Sequence, residues 1–496
     1  MAISLHDLSS QASPLDDVKH LKLSDDKTPS ELTTDVISVH SSIRSYRLYK
    51  RRFVGIVILN IVSGMTWPWF GPIANDTANE FGITLDQVNW LGNVMALVYL
   101  PVSLSVPEII RRYGIRRCCD IGAAALLVSA WIRYAGTVQS LSNRGAYALL
   151  FFGQASEVSN IPSFQFFAAI AQPIFQVIGP KYSETWFDLR GRTTATMIAA
   201  IANPVGGALG QLLSPIVGDT RQSILVLGIM STVAAPFVFL ISAAPPTPPT
   251  YSASKQTPGI LSLLRVMCSK DRSTDPSMTP RERLDFAIVW FVFGVLSSAL
   301  NVFAILTAQI LQPMGYTSDT AGLMGAALLL SGIVGAIVSA PLFDRVFTTH
   351  LAITTKILVP ILGGAWLSFI WAVKPNNEGG LYAICVLIGV ASVTMLPVSL
   401  ELACEVTRNA DGSSALLWFA CNLFAVIFIL AEGALRAGPD ANPPLNMRRA
   451  LILSGTTVMI SSVFVLFLQG KQTRKQIDAD KLQQAQTRPT ERLVEA

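Results

Sequence analysis

The stretch from Leu396 to Asn422 reads L-P-V-S-L-E-L-A-C-E-V-T-R-N-A-D-G-S-S-A-L-L-W-F-A-C-N and joins two apolar segments through a short polar turn. Followed outward, the first segment begins near Leu381 and the second runs to about Leu435. Each therefore has the roughly 20 apolar residues that a helix needs to cross the hydrocarbon core of a bilayer. Glu401 and Glu405 stand four residues apart, which puts them on one face of a helix. Carboxylates on an apolar span require partners or water. The stretch reads as a hinge between two membrane helices that carries a pair of acids, not as a soluble active-site loop.

The same character holds along the chain. Of its 496 residues 51% are hydrophobic and 14% charged, and the mean hydropathy is +0.48, too apolar for a soluble globular protein of this size. Apolar runs lie near 53–74, 88–110, 119–137, 146–178, 193–217, 223–243, 284–311, 320–342, 351–373, 381–403, 413–435 and 450–469, most of them of membrane-spanning length. After the sixth comes P-P-T-P-P-T and then S-K-D-R-S-T-D-P-S-M-T-P-R-E-R, a polar linker. The expected fold class is an all-α membrane protein with twelve transmembrane helices in two six-helix halves. Its expected segments are a tail at 1–50, an N-terminal half at 51–243, the linker at 244–283, a C-terminal half at 284–470 and a second tail at 471–496.

Charge gives the orientation. Arg44, Arg47, Lys50, Arg51 and Arg52 precede the first span, and Arg111, Arg112, Arg116 and Arg117 fill the turn between the second and third. The first outer loop, 75–87, carries Asp76, Glu80 and Asp86 and no basic residue. The positive-inside rule then puts both termini and the linker in the cytoplasm, with Arg436, Arg448 and Arg449 as a minority against it. A monomeric multi-pass protein of the plasma membrane is expected, with the lipid bilayer and a small-molecule substrate as its partners. The net charge of +5 is spread over span ends, which gives no support to nucleic-acid binding.

The six cysteines, at 118, 119, 268, 385, 404 and 421, lack metal-ligand spacing, and three of the four histidines lie in the N-terminal tail. No metal and no cofactor is expected. A membrane-embedded enzyme would need a clustered nucleophile, base or metal site, for which no His, Cys or Asp cluster is visible. There is no G-x-x-x-x-G-K-[ST] to drive an ATP-powered pump.

Several positions stand out singly. Span four is too long for one crossing and is interrupted by A-S-E-V-S-N-I-P-S, where Glu157, Asn160 and Pro162 break apolarity and helix. It reads either as a broken helix lining a cavity or as a local insertion with no role. Gly206 and Gly210 form G-x-x-x-G, a helix-packing spacing. Arg133 reads as a snorkelling interfacial charge, and Glu432 lies late in span eleven. Asp411 is placed to cap the helix after the turn. Asn75-Asp76-Thr77 fits an N-glycosylation acceptor close to the membrane.

Twelve helices in two sets of six, with a basic linker between them, resemble the major facilitator superfamily. P-L-F-D-R at Pro341–Arg345 looks like its cytosolic motif, which implies gate roles for Asp344 and Arg345. The N-terminal counterpart, P-E-I-I-R-R-Y-G-I-R-R, has Arg111 where an Asp is expected, so Glu108 would have to substitute. A closer resemblance is to the feline leukaemia virus subgroup C receptor-related family. It is carried by S-G-M-T-W with D-Q-V-N-W-L, by T-W-F around Trp186, by A-N-P-V-G-G-A-L-G around Asn203, and by the opening stretch with L-P-x-x-x-E-x-x-x-E-x-T and D-G-S-S-A-L-L.

That family is associated with choline and ethanolamine transport, with haem transport also proposed. The resemblance places Trp67 at the first-span tryptophan, whose indole face can hold a quaternary ammonium. It places Asn301, Pro204 and Asn422 where relatives carry a seventh-span Tyr, a fifth-span Gln and an eleventh-span Gln, which leaves an aromatic cage with one wall. Asn203 and Gln309 complete the candidate substrate contacts, and Glu401 and Glu405 the candidate gate or coupling residues. The expected function is secondary transport of a small organic solute by alternating access, choline- or ethanolamine-like by resemblance. The alternatives are export of a bulkier metabolite or haem-like compound, and a non-transporting receptor.

Overall fold

The hydropathy spans fold into helices in the computed structural model. It describes residues 52–155, 168–188, 191–245, 259–268, 278–345 and 351–470, without the side chains of 152–155, 168–169, 193, 262, 268 and 339–345. The helices are α1 Arg52–Met65, α2 Ala74–Phe81, α3 Leu85–Ala135, α4 Asn143–Ala155, α5 Ala168–Trp186, α6 Arg192–Ile216 and α7 Thr220–Ala234. There follow α8 Ile260–Cys268, α9 Pro280–Leu311, α10 Ser318–Arg345, α11 Leu351–Ala372, α12 Glu378–Thr407, α13 Ala410–Ala434 and α14 Arg448–Phe464. Among the described residues there is no strand.

Nine of the described helices are long and apolar enough to cross a membrane. One of them, α3, has 51 residues. At 1.5 Å per residue that is about 77 Å, more than twice the hydrocarbon core. It makes two passes because Gly114 breaks the helix at φ 81°, ψ 166°, a conformation open to glycine and strained for other residues. With α3 counted twice, α1 and the α4–α5 pair bring the passages to twelve. Among the described residues span four shows helices α4 and α5, and Glu157, Asn160 and Pro162 lie outside the described residues.

Local chemistry sets several helix ends. Thr84 and Thr279 each form a capping box, with Gln87 and Glu282 respectively, and Pro280 opens α9 where its missing N–H costs nothing. The first span departs from the expected 53–74. Its helix stops at Met65, and residues 66–73 run on in turns, with the Gly71 N–H donating to the Pro68 carbonyl at 2.9 Å. Pro68 has no N–H to continue a helix and pushes Trp67 out of the helical region.

The hinge of the opening stretch also shifts. The chain reverses at Arg408, which is left-handed at φ 56°, and at Asn409, whose side chain caps α13 by accepting from the Gly412 N–H at 2.9 Å. Asp411 is therefore not the cap: it already lies in the first turn of α13. The polar run from Glu401 to Thr407 prolongs α12 instead of leaving it.

From Gly55 onward the described residues form one compact unit. In it α3 packs on α5 and α13, α6 on α10, α9 on α12 and α13, and α11 on α14. Helices α1 and α6 approach closely. A Cβ on Gly206 would stand 1.9 Å from the Ile61 carbonyl, one on Gly210 2.7 Å from that of Met65, and one on Gly64 2.5 Å from that of Asn203. The small residues let two backbones touch.

The surface is inverted relative to a soluble protein. Ile216, Phe239, Val338, Trp371 and Phe467 are exposed, while Asn60, Asn93, Gln211 and Glu432 are buried, as a hydrocarbon solvent demands. Arg133 does not snorkel. It is 1% exposed, because α4 covers this end of α3: a Cβ on Gly136 would sit 3.1 Å from both the Ala146 carbonyl and Leu149 Cβ.

Candidate functional site

The unwound stretch after α1 lies across the bundle on α9, where a Cβ on Gly71 would stand 2.1 Å from the Ala304 carbonyl. The same carbonyl accepts from Gln211 Nε2 of α6 at 2.7 Å. This crossing carries Trp67 into a cavity of about 40 Å3. Its wall also includes Gln176 of α5, Asn203 of α6, Phe293 and Asn301 of α9, Ser392 of α12 and Trp418 of α13. None of the described lining residues is charged. The volume exceeds the roughly 10–15 Å3 that one water needs and falls well short of the roughly 150 Å3 that holds a benzene.

Two indoles face this space, one from the unwound stretch after α1 and one from α13. Trp67 and Trp418 are 8% and 5% exposed, and neither indole N–H has a hydrogen-bond partner. The Trp418 ring meets Phe293 edge to face, with centroids 5.3 Å apart. The Trp67 ring is supported from behind by Gly207, where an added Cβ would come within 3.1 Å of it. The expectation of a single aromatic wall is thus corrected: Trp418 and Phe293 add aromatic surface that the residue at 301 lacks. Trp418 was in view in the opening stretch, and its i, i+4 spacing to Asn422 was the signal that it shares that residue's face of the helix.

The polar residues hold the wall together. Asn60 Nδ2 donates to the Ala199 carbonyl at 2.9 Å, Asn203 Nδ2 donates to Asn60 Oδ1 at 3.4 Å, and Gln172 Nε2 donates to Asn203 Oδ1 at 3.5 Å. This chain ties spans one, four and five. Gln176 accepts from the Tyr99 hydroxyl at 2.8 Å, and Asn301 Nδ2 lies 3.4 Å from Cys421 Sγ. Asn422 is not part of the lining; its amide donates to the Trp418 carbonyl of its own helix at 2.9 Å.

Gln309 also stands away from the cavity, at one end of the bundle. It exchanges amide hydrogen bonds with Asn89 and accepts from Arg436 Nη1 at 2.9 Å. Arg436 Nη2 reaches Asp86 at 2.6 Å. The cluster joins the start of α3 to α9 and to the end of α13. Beside it Asn75 donates to Gln312, and the Thr77 of its sequon is buried in α2.

Different groups meet at the opposite end. Arg192 Nε of α6 stands 4.0 Å from Glu401 Oε1 of α12, and both residues are buried. Glu405, one turn on, is 2% exposed. Arg408 pairs with Glu282 at 2.5 Å, and Asp285 accepts from the N–H groups of Gln469 and Gly470 at 3.0 Å each. Glu108 binds Arg111 at 2.6 Å and also Arg112, both on its own helix. Asp344 and Arg345 close α10, and their side chains lie outside the described residues.

Comparison with known proteins agrees with this architecture. Solute carrier family 49 member A3 of Xenopus tropicalis is 26% identical over 471 residues, covering 89% of this chain and 92% of that protein. Choline/ethanolamine transporter flvcr2a of Danio rerio is 24% identical over 423 residues, 80% of this chain and 83% of that protein. Choline/ethanolamine transporter FLVCR2 of Homo sapiens is 22% identical over 407 residues, 78% of this chain and 73% of that protein. The model of the Major Facilitator Superfamily matches residues 56–431, from the first span through most of α13. With its apolar passages, its central cavity and its polar contacts at both ends, this multi-pass secondary transporter belongs to the Major Facilitator Superfamily.

Proposed function

We propose that the transported solute is a small organic cation of the choline or ethanolamine type, moved down its own gradient by alternating access around the Trp67–Trp418 cavity. The observation that carries this reading is the pair of indoles lining one uncharged cavity. A cation over an indole face gains about 0.5–2 kcal/mol, and two faces hold it without a carboxylate whose ion pair would slow its release. The names of the relatives from Danio rerio and Homo sapiens point to the same solutes. Asn203 and Asn301 are the proposed polar contacts.

The moving parts in this reading are the segments 51–243 and 284–470, joined by 244–283, with the tails 1–50 and 471–496 in the cytosol of a cell whose plasma membrane holds one copy per functional unit. Arg192 with Glu401 is the inner gate, and Glu405, Asp344, Arg345 and Glu108 belong to the same end. Arg436, Asp86, Gln309 and Asn89 form the outer gate. The test is uptake of labelled choline by purified protein in liposomes, with Trp67→Ala as control. Saturable uptake whose KM Trp67→Ala raises is expected; no saturable uptake sinks the choline reading, and strong acceleration by an imposed proton gradient sinks uncoupled transport.

A further inference from the structure

Where the first pass of α3 ends, a groove of about 950 Å3 opens between it and α8. Its walls differ in kind. Leu104 and Ile109 of α3 and Leu261 and Leu264 of α8 make an apolar floor, and Arg111, Arg112 and Tyr113 stand at the rim. Helix α8 buries Ile260, Leu263 and Val266 against the protein, yet it leaves Leu261 75% exposed. Leu261 and Leu264 are three residues apart and share the groove face of the helix. A helix in water has no reason to present that face; one lying at the edge of a bilayer does.

The rim is cationic in excess. Arg111 and Arg112 share the single carboxylate of Glu108, and their side chains remain 51% and 63% exposed. One positive charge of the trio is left over, with guanidinium N–H groups still open to an acceptor. Gly259, at the start of α8, lies against this trio: a Cβ there would stand 3.8 Å from Glu108 Oε2 and 4.0 Å from Arg111 Nε. Basic groups above an apolar floor, at the mouth of a membrane span, match a phosphodiester headgroup above its acyl chains.

We propose that this groove binds an anionic phospholipid of the cytosolic leaflet, its headgroup on Arg111 and Arg112 and its chains along Leu104, Ile109, Leu261 and Leu264. The leaflet follows from the orientation argued above; the binding chemistry does not depend on it. The bound lipid would brace α8, and with it the end of the linker, against the turn between spans two and three.

The test is native mass spectrometry of the full purified chain in mixed micelles holding equal phosphatidylserine and phosphatidylcholine. The expected result is a first lipid adduct enriched several-fold in phosphatidylserine. Enrichment should fall to parity in Arg111→Ala/Arg112→Ala and should weaken in Leu261→Gln, a change at an exposed position that leaves the fold and both arginines in place. Arg449→Ala, an exposed arginine on another helix, should leave it unchanged. Equal adducts of the two lipids in the unaltered protein would overturn the proposal, as would enrichment that survives both groove variants. Because the measurement is made in detergent, an inverted membrane orientation would leave it intact, so failure of the orientation and failure of the site are told apart.

Discussion

Arg192 Nε lies 4.0 Å from Glu401 Oε1, and the two side chains are only 4% and 9% exposed. Each belongs to a helix of a different half of the molecule, so the pair joins α6 to α12 at one end of the bundle. Removing one member of a buried ion pair costs about 3–5 kcal/mol, whereas replacing both by apolar residues is often neutral. Arg192→Met and Glu401→Gln should each lower the melting temperature of the purified protein by several degrees, and Arg192→Met/Glu401→Met should recover most of the loss. Thermal unfolding in detergent measures it; single variants that melt like the parent would remove the pair as a closing contact.

At the other end Arg436 bonds both Asp86 and Gln309. Arg436→Ala removes both contacts and should populate states open at that end. Spin labels at the exposed Asn79 and Asp440 report the opening as a longer distance component in pulsed electron spin resonance. A distance distribution identical to the parent would show that Arg436 does not hold the end shut.

The aromatic cavity makes a graded prediction. If Trp418 is a second wall for a cation, Trp418→Ala should raise the KM for choline about 2- to 30-fold, the range that corresponds to about 0.5–2 kcal/mol of cation–π attraction. Trp418→Phe should lose less than Trp418→Ala. Uptake kinetics in liposomes decide it, and equal KM values for parent and Trp418→Ala would take the residue out of the site.

Two adjacent glycines should behave differently. A Cβ at Gly206 would meet a backbone carbonyl at 1.9 Å, whereas one at Gly207 would meet the ends of Leu329 and Trp67 at 3.1 Å. Overpacking costs typically about 1–3 kcal/mol and more where the backbone cannot yield. Gly206→Ala should therefore fold poorly, while Gly207→Ala should fold and show altered choline KM through the displaced indole. Size-exclusion profiles and uptake measure the two effects, and the reverse order would contradict the packing described.

The Asn75 acceptor should remain unmodified. Its amide is bonded to Gln312 and its Thr77 is 0% exposed inside α2. Treatment with peptide N-glycosidase, or Asn75→Gln, should leave the electrophoretic mobility of the protein from eukaryotic cells unchanged.

Much of the fold was legible because the membrane reads composition. The apolar runs, the polar linker and the G-x-x-x-G at Gly206 and Gly210 each state a local requirement that any packing must satisfy. What escaped was local only in part. Span one stops at Met65, just before Pro68, and its crossing to α9 depends on Gly71 meeting Ala304, more than two hundred residues away. Asn409 took the cap from Asp411 because the chain reversed two residues earlier than the polar composition suggested.

The site divides in the same way. Trp67, Asn203 and Asn301 were picked out one by one and come together at one cavity, but Gln309 and Asn422, picked out equally, do not line it. Composition and periodicity determined that this chain spans a membrane many times and carries polar groups within it, since each residue pays its own desolvation cost wherever it lies. Only the tertiary structure decided which groups meet: that Arg192 reaches Glu401, that Arg436 reaches Asp86 and Gln309, and that Trp418 and Trp67 line one cavity. Those pairings are set by helix contacts between distant segments, which no single segment encodes.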